Sequence, residues 1–368
     1  MKFGIQICFA HLVIAIIAAT VPAQMPGAQD PPLRKTSLMT PNLLASKTVS
    51  TDVDSMVTPS ANVDVSSSNT RKPAVVEAAQ NYFRVGVASV KKGHYKDAIV
   101  SLKTASQLSP NSSVVHVELG YAYFCLAEYE NSIEAYERAA SLDPKSFATR
   151  RSLGVAYMSS GNFQDAIPDL EETIRLEPGN ALNHYLLGMA YDGAHQLDHA
   201  ATELLRSLTL DPTHYRSYFA LAAVYADQSR NKDAIDLLRK AIQLKPDFGD
   251  AHVALGNQLR ATGNFKDAIR SYESAIKVEP QSPVARNNLG VIYLTMGKNK
   301  EGLAALKCAV SLAPQVGEIH LNLARAYLRL RNKDAALVEY GLLKSMDSAL
   351  AQTLYAEIFQ QRILKVRE

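Results

Sequence analysis

The sequence predicts an all-α solenoid, a run of antiparallel helix pairs stacked side by side and closed by a C-terminal capping helix. Three observations carry that expectation. Pro110, Pro144, Pro178, Pro212, Pro246, Pro280 and Pro314 recur at a constant spacing of 34 residues. The segments "LGVAYMSSGNFQDAI" (153–167) and "LGNQLRATGNFKDAI" (255–269) are near copies lying 102 residues apart, three such periods. Within each period the apolar and small residues fall at helical intervals. A fixed period in this range marks supersecondary units that bury their apolar faces only by stacking on one another.

The first residues read as an address. Lys2 precedes an apolar stretch from Ile5 to Thr20, which is interrupted by Gln6 and His11 and is short for a membrane span. Val21-Pro22-Ala23 offers small residues before a cleavage point ahead of Gln24. Residues 1–23 are therefore expected to be a secretory signal, and the mature protein to be exported, periplasmic or secreted. An uncleaved anchor is the alternative, and this segment is the only membrane contact expected. Cys8 lacks the small-residue lead of a lipidation site. Residues 24–75 are rich in Ser, Thr, Pro and Asp, without aromatic residues or helical periodicity, and are expected to be a disordered linker.

Composition removes some function classes. A formal net charge of +3, with acidic and basic residues interspersed, does not suit a nucleic-acid surface. Cys125 and Cys308 fall in repeats far apart, so they read as small buried or half-buried hydrophobes rather than a disulfide.

Setting each proline at position 32 gives eight repeats, beginning at Ala79, Ser113, Phe147, Ala181, Tyr215, Gly249, Pro283 and Gly317. Position 7 is Leu in all but the first, where it is Val85; position 8 is Gly or Ala throughout; position 11 is usually Tyr; position 20 is small. Positions 4, 7, 8 and 11 share one face of a first helix, and positions 20, 24 and 27 one face of a second. Glycine inside a helix costs roughly 1 kcal/mol against alanine, so its recurrence at position 8 implies close helix approach. Gly93, Gly161, Gly263 and Gly297 mark the turn between the helices, the prolines stop the second helix, and Ser112, Ser146, Asn180 and Ser282 can cap the next.

This pattern, Leu-Gly/Ala-x-x-Tyr…Gly-x-Phe/Tyr-x-x-Ala…Pro, resembles the tetratricopeptide repeat family. The resemblance covers an array from about residue 76 to 350 and implies a right-handed superhelix. The last repeat departs from it, with Ser348 where the proline would stand. Residues 351–368 carry Leu354, Ile358 and Ile363 roughly on one stripe, as expected of the helix that covers the last stacking face.

No catalytic motif is present. "GKNKEG" (297–302) lacks phosphate-loop spacing, and there is neither a nucleophile elbow nor a paired-histidine zinc helix. His195, Asp198 and His199 are the one cluster of metal-ligand character, and no fourth ligand stands nearby. His116, His184, His252 and His320 recur at position 4, alternating with Arg150, Tyr218 and Arg286, and read as packing residues. The expectation is no catalytic residue, cofactor, metal or small-molecule substrate. Asn111-Ser112-Ser113 is a glycosylation sequon on an inter-repeat loop.

The resemblance implies that first helices line a concave groove, with positions 2, 5, 6, 9, 12 and 13 facing it. Those positions are apolar in the N-terminal half, at Phe83, Val117, Tyr121, Phe124, Met158, Tyr185 and Met189. They are polar in the C-terminal half, at Asn257, Arg260, Asn287, Asn288, Asn322, Arg325 and Arg329. The apolar set is either ordinary inter-helix packing, cover for the folded-back linker, or a partner site. The polar set is either a solvated wall or a peptide site, asparagines holding a backbone and arginines a carboxylate. Relatives that clamp chaperone tails share only Asn257 and Asn288 with this chain, and the asparagine ladder of the arrays preceding glycosyltransferase domains only Asn288 and Asn322. The function expected is a non-enzymatic exported scaffold binding a protein or extended peptide in its groove, for envelope assembly, secretion or complex organisation. The alternative is a regulatory docking subunit of an enzyme complex, such as a glycosyltransferase-type module without its own catalytic domain.

Overall fold

The computed structural model describes residues 73–359, and these form seventeen α-helices with no strand. The predicted signal, linker residues 24–72 and Ile363 lie outside the described residues. The chain divides into two bodies, the first running to Pro212 and the second from Thr213.

The first body holds α1 Pro73–Lys91, α2 Tyr95–Leu108, α3 Ser113–Cys125, α4 Tyr129–Leu142, α5 Phe147–Ser160, α6 Phe163–Leu176, α7 Ala181–Gly193 and α8 Leu197–Leu210. The second holds α9 Tyr215–Asp227, α10 Asn231–Leu244, α11 Gly249–Ala261, α12 Phe265–Val278, α13 Pro283–Thr295, α14 Asn299–Leu312, α15 Gly317–Arg329, α16 Lys333–Met346 and α17 Ser348–Phe359. In each body the two helices of a repeat pack together, and each second helix packs on the next first helix. From Ser113 to Gly317, every repeat start inferred from the prolines is the first residue of a helix. The exception is α1, which begins ahead of Ala79 at Pro73, so residues 73–75 belong to a helix and not to the linker. Proline suits a first helical position, where its missing N–H removes no bond.

Position 8 shows why it must be small. A Cβ added to Gly86, Gly120, Gly154, Gly188, Gly256 or Gly290 would stand 2.5–2.9 Å from the position-24 side chain of the same repeat, in turn Leu102, Tyr136, Leu170, Leu204, Tyr272 and Leu306. Those six side chains fill the place the missing Cβ leaves, and each is almost wholly buried.

The turn between paired helices is equally uniform. Gly93, Gly161, Gly263 and Gly297 have φ of 75°, 87°, 78° and 77°, and the same repeat position holds Ala127, His195, Ser229 and Arg331 at 58–63°. All eight repeats thus turn through one left-handed residue, and only half of them use glycine for it. Of the four candidate caps, Ser146, Asn180 and Ser282 accept from Thr149, Leu182 and Ala285 backbone N–H groups. Ser112 has the extended backbone of a cap, but its hydroxyl makes no such bond.

At the C-terminal end α17 buries Ala351, Leu354 and Ile358 against Leu321, Ala324, Ala336 and Leu343. Asp347 joins α16 to α17, its carboxylate accepting from the N–H groups of Ala349 and Leu350. An acid at a helix start meets the orphan donors there, which is how Ser348 can begin a helix where the other repeats place proline. The two described cysteines are unpaired. Cys125 is half-buried, and burial raises its thiol pKa; Cys308 is exposed, in contrast to the reading that made it a packing residue.

Candidate functional site

The polar residues of the second body converge. Asn257 sits on α11, Asn287 and Asn288 on α13, and Asn322 on α15, three successive first helices. The Asn288 Nδ2 donates to Asn257 Oδ1 at 3.0 Å, and the Tyr272 hydroxyl donates to the same oxygen at 2.8 Å. Asn287 Nδ2 donates to Asn288 Oδ1 at 3.3 Å, and Asn322 Nδ2 to Asn287 Oδ1 at 3.0 Å. The result is a single hydrogen-bonded line, Tyr272–Asn257–Asn288–Asn287–Asn322, crossing all three helices.

Bonding in one direction sets each amide's orientation. It also leaves donors over. An asparagine side chain has two N–H groups and one oxygen, so Asn257 keeps both N–H groups without a partner among the described residues, and the other three keep one each. All four side chains are half-buried, open on one side to solvent. Burial raises the pKa of the Tyr272 hydroxyl, and the neighbouring Arg260 opposes that rise.

The arginines divide. Arg260 is exposed. Arg325 is held by Glu357 of α17, with Nη2–Oε1 at 2.6 Å and Nε–Oε1 at 3.0 Å. Arg329 donates through Nη1 to the Leu294 carbonyl at 2.6 Å. The carboxylate foreseen for Arg325 is thus already supplied from within the chain, and Arg329 adds a second donor to a carbonyl at the end of α13 that already accepts from the Gly297 N–H.

The apolar residues of the first body are mostly interior. Phe83 and Tyr121 are half-buried against the cluster of Val90, Leu102, Leu119 and Tyr123. Phe124 is buried, its ring centroid 5.6 Å from that of Tyr129. Met158, Tyr185 and Met189 are buried as well, and Val117 is half-buried. They do not stand together as an open apolar wall.

Position 4 is a latch to the preceding loop. His116, Arg150, His184, His252, Arg286 and His320 each donate to the carbonyl of the proline six residues before, at 2.6–3.3 Å. In three repeats the same side chain also meets an acid at position 23: Arg150–Asp169 at 2.8 Å, His184–Glu203 at 2.7 Å and His320–Glu339 at 2.6 Å. Burial raises the Asp169 carboxyl pKa, against the pull of Arg150. Sequence reasoning placed the histidines in packing but did not foresee the proline carbonyl or the acid, although an acid at position 23 is visible in those repeats.

Among the described residues no three His, Cys, Asp or Glu side chains stand together as a metal would require. His195 is the left-handed turn residue of its repeat, and the His199 ring stacks on Tyr191 at 5.1 Å.

Stacked helix pairs with an ordered polar face define the class, a repeat scaffold suited to protein–protein interaction. The sequence comparisons specify it. The family profile described as "Tetratricopeptide repeat" matches residues 117–181, 151–214, 185–247 and 292–343, and that described as "TPR repeat" matches 256–297. The chain belongs to the tetratricopeptide repeat family. No curated protein matches it. Among solved structures, a tetratricopeptide repeat protein from Parabacteroides merdae is 15% identical with a TM-score of 0.54, over 66% of this chain and 96% of its own. Pseudomonas aeruginosa pilF is 18% identical with a TM-score of 0.52, over 58% of this chain and 98% of its own. MamA from Desulfovibrio magneticus RS-1 is 23% identical with a TM-score of 0.45, over 47% and 97%. The first two likenesses speak to the fold alone.

Proposed function

We propose that the protein is a non-catalytic scaffold that holds an extended peptide across the first helices of its second body. The observation that carries this is the line of Asn257, Asn288, Asn287 and Asn322, whose mutual bonds leave amide donors unused on half-buried side chains. Donors at successive helix spacings suit the carbonyls of a backbone, which every peptide presents, so recognition there is sequence-tolerant. Arg260, exposed beside the line, adds preference for an acidic side chain.

The experiment is selection from a random displayed-peptide library by the full chain. Enrichment by the parent, lost in a folded N257A/N288A/N322A variant, supports the reading. Equal enrichment by both removes the asparagines from it. Export is the second part of the proposal and rests on the sequence of residues 1–23. Sequencing the N-terminus of the protein from its native host should return Gln24; recovery of Lys2 or Met1 in the cytosol refutes export.

A further inference from the structure

The position-4 latches are not all finished alike. In repeats 4 and 8 the histidine is held from both sides, by a proline carbonyl at Nε2 and a carboxylate at Nδ1. In repeat 6, His252 Nε2 meets the Pro246 carbonyl at 2.9 Å, but position 23 is Ser271, whose hydroxyl donates to the Asp267 carbonyl at 3.0 Å. His252 Nδ1 has no partner among the described residues. Beside Ser271 lies instead a shallow cavity, largely open to solvent, of about 260 Å³, lined by His252, Ser271, Ser274, Arg239 and Arg270 with two apolar neighbours.

No acid lines this cavity, and two guanidinium groups do. Arg239 contacts Asp236 at 3.2 Å and Arg270 contacts Asp267 at 3.1 Å, each through one nitrogen and each with a neighbour on its own helix. Both arginines are more than half exposed, so these pairs contribute little and leave most of each guanidinium fork unused. The Ser274 hydroxyl likewise has no partner among the described residues. The site gathers two forked cations, an imidazole nitrogen and a hydroxyl around a volume below that of a drug-sized ligand pocket.

We propose that this cavity is an anion site for a phosphate group, either inorganic phosphate or a phosphomonoester. A carboxylate offers two oxygens and one negative charge, whereas a phosphate offers three free oxygens and close to two charges, matching two arginines plus a third donor. Phosphate meets His252 Nδ1 either by donating from a P–OH or by accepting from the protonated ring. The site lies on α10, α11 and α12 and does not involve the asparagine line, so it stands or falls separately from the peptide reading.

The test follows the histidine ring resonances of the full chain by NMR during titration with inorganic phosphate, and in parallel with acetate at equal ionic strength. The His252 signal is assigned by its loss in H252Q, and His320, whose Nδ1 is already held by Glu339, serves as the internal control. The expected result is a saturable shift of the His252 signal with phosphate, a flat His320 signal, and no saturation with acetate. An R239Q/R270Q variant with unchanged helix content should weaken the phosphate fit by about tenfold or more, because charge-assisted hydrogen bonds are lost. A phosphoserine amide that binds more tightly than inorganic phosphate assigns the site to a phosphorylated partner; one that binds more weakly assigns it to the free ion. Absence of a saturable His252 shift, equal saturation by acetate, or indifference to R239Q/R270Q overturns the proposal.

Discussion

Arg325 on α15 and Glu357 on α17 face each other as a fork, the guanidinium reaching one carboxylate oxygen through both Nη2 at 2.6 Å and Nε at 3.0 Å. The capping helix therefore does more than cover apolar surface, since it places its own acid over an arginine beside the asparagine line. A ligand carboxylate would have to displace Glu357.

Replacing Glu357 by Ala should consequently strengthen binding of acidic peptides while leaving neutral ones unaffected. Both side chains are about a third exposed or more, so the change should cost under about 1 kcal/mol of stability. Paired affinity and denaturant-unfolding measurements check both halves, and weaker binding of acidic peptides would contradict the first.

Gly256→Ala should be destabilising out of proportion to its size. The new methyl would stand 2.5 Å from the Tyr272 ring, which is fully buried and cannot move aside freely. Overpacking of this kind costs about 1–3 kcal/mol. Displacing Tyr272 would also pull its hydroxyl from Asn257. Chemical denaturation reports the cost, while Ala222→Gly, at the same repeat position, provides a reference without a clash.

The left-handed turns make an opposite prediction. Ala127 and Ser229 hold φ of 58° and 63° at exposed sites. That conformation costs a non-glycine residue roughly 1–2 kcal/mol, partly offset by the greater unfolded freedom of glycine. Ala127→Gly and Ser229→Gly should each stabilise by about 0.5–1 kcal/mol, and Gly161→Ala should destabilise similarly. Thermal unfolding of the three variants tests the set by its signs.

His320 and Glu339 are 3% and 8% exposed and form a 2.6 Å pair. His320→Leu leaves the acid buried and unpaired, which should cost about 3 kcal/mol. The double variant H320L/E339L should recover most of that loss, since only the carbonyl of the exposed Pro314 then lacks its partner. His252→Leu removes only a hydrogen bond to the Pro246 carbonyl and should cost about 1 kcal/mol.

Much of this architecture was legible in the chain itself, for a reason visible in the packing. Proline spacing located the starts of seven first helices, because one loop geometry repeats, and the small position 8 located the helix contact, because the six repeats with glycine there close on their position-24 side chain. What the sequence left open depends on contacts outside the repeat grammar. Asn257, Asn288, Asn287 and Asn322 were each identifiable, but their bonding to one another follows from side-chain reach between helices. Glu357 was missed because its helix was read only for the stripe of Leu354 and Ile358. Tyr272 falls at position 24 on the packing face of its helix, and nothing in the repeat pattern shows that its hydroxyl reaches Asn257. Ser112 shows the converse, a residue of the right type and place whose cap bond does not form.

The most direct measurement is the affinity of a library-selected peptide for the full chain and for the N257A/N288A/N322A variant, with helix content and unfolding midpoint measured alongside. The amide line as the peptide-holding element predicts a loss of about tenfold or more in affinity at unchanged fold, since several hydrogen bonds go at once. Equal affinity of the two proteins would contradict it.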